Sequence, residues 1–165
     1  MSETIMSHVT SKDGTRIAYE RLGKGPAVVL IDGAMCSRAF GPMPKIAALL
    51  AQHFTVYLYD RRGRGESGET QPYAKARELE DIEALIGAAG GPVFAVGLSS
   101  GAALALEAAA RSTRIARLAV YEPPYMVDNP RFAEVDHEGN LKALVAAGRH
   151  PFLSPPFVSC LFFCF

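Results

Sequence analysis

Val93-Phe94-Ala95-Val96-Gly97-Leu98-Ser99-Ser100-Gly101 is an apolar run that meets two glycines around a serine and passes straight into Ala102-Ala103-Leu104-Ala105-Leu106-Glu107. The pattern reads as strand, sharp turn, helix. Gly97 and Gly101 stand two residues either side of Ser99, the G-x-S-x-G spacing in which a serine is held on a strained turn at the end of a strand. Glycine is required because such a turn crowds backbone against backbone and leaves no room for Cβ atoms. The turn presents Ser99 to a substrate above the N-terminus of the following helix. The unpaired N–H groups and partial positive charge there favour a developing oxyanion. Ser100 supplies the nearest amide. The same five residues also occur as a Gly/Ser-rich turn without chemistry, and it is the strand before and the helix after that favour a nucleophile.

Working outward, the preceding chain alternates strand and helix. Residues 4–10 and 16–21 form two short runs around Asp13-Gly14, a hairpin signal. Residues 27–31 are continuously apolar, the mark of a strand buried on both faces of a parallel sheet. A short helix is expected over 42–52, a second buried strand over 55–59, and a longer helix over 71–89 that stops before Gly90-Gly91. Beyond the helix from Gly101 to about Arg111, residues 117–121 form another strand, which leads into Glu122-Pro123-Pro124. This alternation specifies a mostly parallel sheet with helices on both faces. Ligands of such sheets bind beyond the carboxyl ends of the strands, where Asp32, Asp60, Ser99 and Glu122 all fall.

Asp60-Arg61-Arg62-Gly63-Arg64-Gly65-Glu66-Ser67 follows the fourth strand with the spacing D-x-R-G-x-G-x-S. With the elbow Gly97-Leu98-Ser99-Ser100-Gly101, and with Asp32-Gly33-Ala34 after the third strand in place of a usual His-Gly-x, the chain resembles an α/β-hydrolase over residues 13–125. The resemblance implies a serine nucleophile, Ser99, with the backbone amides of Ala34 and Ser100 as oxyanion hole. It implies no cofactor and no metal. Asp32 departs from the family's histidine, which alters pocket polarity more than the hole itself. The arginines of the loop are assigned structural work through internal ion pairs, in a solvated turn, rather than phosphate binding.

Family members continue through a lid and further strands that carry an acid and a histidine after the serine. In this chain the core is expected over 1–150, with the start of a lid from about 128. The composition changes at His150-Pro151, and residues 151–165 hold five of the nine phenylalanines and two of the three cysteines. The sheet is therefore expected to be C-terminally incomplete, with an apolar tail of non-native origin. Glu122 is the candidate acid, because some family members place it after the sixth strand. Of four histidines, His8 and His53 lie away from the elbow, which leaves His137, His150 or no base at all. Without a base Ser99 keeps its proton and is a poor nucleophile.

Composition narrows the partners. The chain has 165 residues, 49% of them hydrophobic, and its seventeen basic residues balance seventeen acidic ones. No overall field draws it to nucleic acid or to an anionic membrane. There is no run of about 18 apolar residues to span a bilayer and no secretory pattern at the start, so a cytoplasmic location is expected. Cys36, Cys160 and Cys164 show no zinc-ligand spacing and are expected as free thiols. The expectation is a cofactor-free hydrolase of small carboxylic esters, weak or inactive where the acid and histidine are missing. Its alternative is a catalytically silent fragment acting as an association or binding module. A sixth strand left as a sheet edge predicts a homodimer.

Overall fold

The computed structural model describes residues 5–125. Along them run β1 (Ile5–Thr10), β2 (Arg16–Leu22), β3 (Ala27–Ile31), α1 (Met43–Leu50), β4 (Thr55–Tyr59), α2 (Lys75–Ala89), β5 (Val93–Leu98), α3 (Ser100–Arg111) and β6 (Ile115–Tyr121). The chain divides into two compact units, Met1–Pro123 and Pro124–Phe165, and of the second only Pro124 and Tyr125 are among the described residues. The expected lid, the 151–165 tail, His137 and His150 lie outside the described residues.

The six strands form one sheet in the order β1-β2-β4-β3-β5-β6. The β1–β2 and β2–β4 pairs are antiparallel, and β4, β3, β5 and β6 run parallel. The first hairpin closes at Asp13-Gly14. Ser11 N–H donates to Thr15 C=O at 2.8 Å, and Gly14 takes φ 85°, which a side chain would resist. β3 and β4 are the strands buried on both faces, as their unbroken apolar runs required.

Side chains alternate across a strand, so each buried strand feeds two cores. Val28, Leu30, Val56 and Leu58 pack on one face with Met43 and Ala47 of α1. Val29, Ile31, Tyr57 and Tyr59 pack on the other with Leu79, Ile82, Leu85 and Ile86 of α2 and Leu104, Ala105 and Ala108 of α3. Helices thus cover both faces, and the carboxyl ends of β3, β4, β5 and β6 converge on one rim of the sheet.

The expected 71–89 helix begins later, at Lys75. Gln71 precedes a proline and is disfavoured in helical conformation, and Ala74 is extended at φ −147°, ψ 141°. The sixth strand begins two residues earlier than expected, at Ile115. Among the described residues no helix is long and apolar enough to cross a membrane.

Candidate active site

Ser99 is the N-cap of α3 and sits at φ 53°, ψ −123°, a conformation that L-residues with side chains rarely adopt. The strain persists because both flanks are over-determined. A Cβ on Gly97 would lie 2.6 Å from the Ala102 Cα and 2.7 Å from the Gly101 carbonyl oxygen. One on Gly101 would lie 2.2 Å from the Ile31 carbonyl oxygen and 2.4 Å from that of Asp32. Only glycine at 97 and 101 lets the helix start directly against the ends of β5 and β3. The Ser99 N–H donates to the Tyr121 carbonyl at 2.9 Å, tying the turn to β6, and the Ala102 N–H donates to the Ser99 carbonyl at 2.8 Å.

The loop after β3 comes alongside. A Cβ on Gly33 would lie 3.4 Å from the Ser99 Cβ, so Asp32-Gly33-Ala34 flanks the serine. Ala34 is exposed, and Ser100 lies in the first turn of α3, whose N–H groups have no intrahelical partner. Ser99, Ser100 and the Gly33–Ala34 segment are thereby brought together. Glu122 takes φ 49° and follows the residue whose carbonyl binds Ser99, but it is exposed, and among the described residues no hydrogen bond or ion pair holds its carboxylate. His8 is on β1 at the far edge of the sheet, and the His53 carbonyl crowds Gly25, ahead of β3 at the opposite end of the parallel strands. Neither reaches the elbow.

Asp32 is buried at the base of this loop. Its Oδ1 accepts from the Gly33 N–H at 2.7 Å, while among the described residues Oδ2 has no hydrogen-bond partner beyond the neighbouring Cys36 thiol. Burial raises its pKa, against the hydrogen bond from Gly33 and the nearby guanidinium groups. Cys36 is adjacent, and burial followed by the charge of Asp32 pushes its thiol up to about 11, so it is not a ready thiolate. Among the described residues no cluster of three or more His, Cys, Asp or Glu is placed to hold a metal ion.

The loop after β4 has the internal ion pairs expected of it, but it is not a solvated turn, since Asp60, Arg61 and Arg62 are buried. Arg61 donates to both oxygens of Glu78, at 2.5 and 2.6 Å, and its Nη1 reaches the Asp32 carbonyl at 3.2 Å and the Ser100 Oγ at 2.9 Å. Arg62 makes two bonds to Asp81 and one to Asp13 at 2.9 Å. Asp60 accepts from the Arg38 N–H at 2.7 Å and Nε at 3.0 Å and from the Glu66 N–H at 2.9 Å. The Ser67 Oγ donates to the Asp60 carbonyl at 2.6 Å. Arg38, Glu78 and Asp81 were not singled out from sequence. The acids of α2 fall among Arg, Lys and further Glu and look like a solvated helix face until the loop is seen packed on them.

Comparison with known proteins agrees with this geometry. A family model described as "Alpha/beta hydrolase family" matches residues 28–162. An α/β hydrolase from Sphaerobacter thermophilus superposes with a TM-score of 0.80 at 48% identity, covering 94% of this chain and 64% of that one. Epoxide hydrolase CorEH superposes with a TM-score of 0.64 at 26% identity, covering 72% of this chain and 42% of the other. Among curated proteins, "Probable oxidoreductase EphD" of Mycobacterium tuberculosis is 38% identical over 84 residues, 48% of this chain and 14% of its own length. The chain thus spans a small part of that curated relative and under two thirds of the Sphaerobacter structure.

Proposed function

Because the chain belongs to the α/β-hydrolase family, we propose that it hydrolyses small carboxylic esters through Ser99, without a cofactor. The observation that carries the reading is the strained backbone of Ser99, held between two glycines that admit no Cβ and beside the Gly33 loop. Ser99 Oγ adds to the ester carbonyl carbon, and the oxyanion is received by the amides of Ala34 and Ser100. The C–O bond to the alcohol breaks, the alkoxide takes up a proton, and water then cleaves the acyl-serine to free acid and serine. Glu122 is the proposed acid, and the base is left as His137, His150 or none, both histidines lying outside the described residues.

A serine at the elbow also favours acyl transfer over epoxide opening. Attack of a hydroxyl on an epoxide carbon leaves an ether, which water does not cleave under the same catalysis, whereas an acyl-serine turns over. The Ser100 hydroxyl already accepts a hydrogen bond from Arg61, so it is not the freer nucleophile.

The test is hydrolysis of a short p-nitrophenyl ester together with labelling by a fluorophosphonate probe. Turnover that is lost in Ser99→Ala, with the adduct mapped to Ser99, supports the reading. Equal turnover in the variant, or an adduct on Ser100, refutes it. Loss of turnover in His137→Ala or in His150→Ala assigns the base, and turnover that survives both excludes the two. Homodimerisation through β6 belongs to the same proposal, supported by Val120 and Tyr121, which are 41% and 58% exposed.

A further inference from the structure

Arg64 stands apart from the other arginines around the site. Arg38, Arg61 and Arg62 are each bound to carboxylates. Arg64 is half-buried, yet among the described residues no carboxylate lies within ion-pair distance of it. Its Nη1 donates instead to the Gly33 carbonyl at 2.8 Å. Burial disfavours its charged form, and the neighbouring charge of Arg61 adds to that. The charge of Glu78 favours the guanidinium from a distance, but the hydrogen bond Arg64 makes goes to the backbone and not to a carboxylate.

We infer that Arg64 is a positioning residue for the oxyanion hole, fixing and polarising the Gly33–Ala34 peptide through its hydrogen bond to the Gly33 carbonyl. The peptide is trans, since the cis bond among the described residues is Gln71–Pro72. In a trans peptide the C=O and the following N–H point in opposite directions. A cation that holds the Gly33 carbonyl on one side therefore fixes the Ala34 N–H on the other. The bond is charge-assisted, and drawing electron density to the carbonyl oxygen leaves the N–H a stronger donor.

The rest of the loop is held in the same way. The Asp32 carbonyl is taken by Arg61 Nη1 at 3.2 Å, and the Gly33 N–H is taken by Asp32 Oδ1 at 2.7 Å. The polar backbone groups leading up to Ala34 are thus occupied. Arg61 also holds Ser100 Oγ and so spans both halves of the hole, but its buried pair with Glu78 makes it a poor experimental handle. Arg64 has no such pair to break.

The inference rests on the ester-hydrolase reading for its kinetic consequence and not for its geometry, and the test separates the two. In the full chain, amide exchange of Ala34 is followed by NMR in wild type, Arg64→Met and Arg64→Lys. The expected result is Ala34 exchange at least roughly tenfold slower in Arg64→Met, because the exposed N–H is no longer acidified by the cation on its carbonyl, partly restored by the lysine, with the β3 and β5 amides unchanged. On a p-nitrophenyl ester the Met variant is expected to lose roughly tenfold in kcat, with KM within about twofold, as a displaced donor acts on the transition state. Unchanged Ala34 exchange in Arg64→Met overturns the inference, and so does unchanged kcat in a wild type that turns over. A wild type without turnover whose Ala34 still responds removes the ester reading and leaves the positioning role standing. Should Arg64→Met fail to fold, the wild type alone decides. Arg64 guanidinium protons that exchange as freely as those of free arginine overturn the inference, and retarded exchange upholds it.

Discussion

Gly101 and Gly87 show how unequal two helical glycines are. At Gly101 an added methyl meets the Ile31 carbonyl oxygen at 2.2 Å, while at Gly87 it meets nothing within 4 Å. Gly101→Ala is therefore expected to abolish the cooperative melt, because two backbones would have to separate in a domain with only about 5–15 kcal/mol to lose. Gly87→Ala is expected to raise stability by about 0.5–1 kcal/mol, through the better helix propensity of alanine at an exposed position. Denaturant midpoints of the two variants check both. Asp32 gives the second prediction at this scale. Burial raises its pKa, so the native state holds the proton more tightly than the unfolded chain. That stabilisation is complete below the ordinary carboxylate value and is lost as pH rises through the folded one. Asp32→Asn keeps an acceptor for the Gly33 N–H and removes the charge. It is expected to melt above wild type at pH 7, with the gap closing below about pH 4. The elbow residues were legible because G-x-S-x-G states a steric requirement directly. Asp32 could be seen only as a departure from a usual histidine, since burial and the bonding of its oxygens are properties of its neighbours.

At the scale of elements, the loop after β4 is what joins the sheet to α2. Arg62 lies between Asp81 of α2 and Asp13 of the first turn, so one side chain fastens three segments. Removing one partner of a buried pair leaves the others uncompensated, and Arg62→Met is expected to cost about 3–5 kcal/mol, read as a lowered urea midpoint. Asp13 and Glu78, held by the arginines of this loop, respond to acid in the opposite sense to Asp32. The hydrogen bond from Arg62 holds Asp13 well below the usual range. Although burial pushes Glu78 up, its bonds from Arg61 prevail and hold it low. Their contribution is present above the ordinary carboxylate value and is lost as pH falls through the lowered ones. Strands and helices were readable here from unbroken apolar runs and helical spacing. The start of α2 was not, because Pro72 resembles a first helical residue, whereas residues 71–74 are non-helical and bring the Tyr73 hydroxyl to Glu78 at 2.8 Å. Nor could the loop's partners be read, since an acid turned inward along a helix has the same letter as one turned to solvent.

For the whole molecule, β6 is paired on one side only among the described residues, and its far end exposes Val120 and Tyr121. An open strand edge is a template for another chain, and two copies related by a two-fold axis close it without a growing end. Light scattering at micromolar concentration is expected to give a dimer, and Val120→Lys to shift it toward monomer; a wild-type monomer would sink the idea. The strand order carries a further consequence, for the time the sheet takes to form. β3 lies between β4 and β5, so Val28 finds Phe94 only after two helices and a strand have been placed between them. Pairings so distant along the chain require loop closure before they return any contact energy, which slows folding toward the millisecond-to-second range. Through that interval β3 and β4, the two most buried strands, wait with open edges, and the yield of refolded protein is expected to fall as its concentration rises.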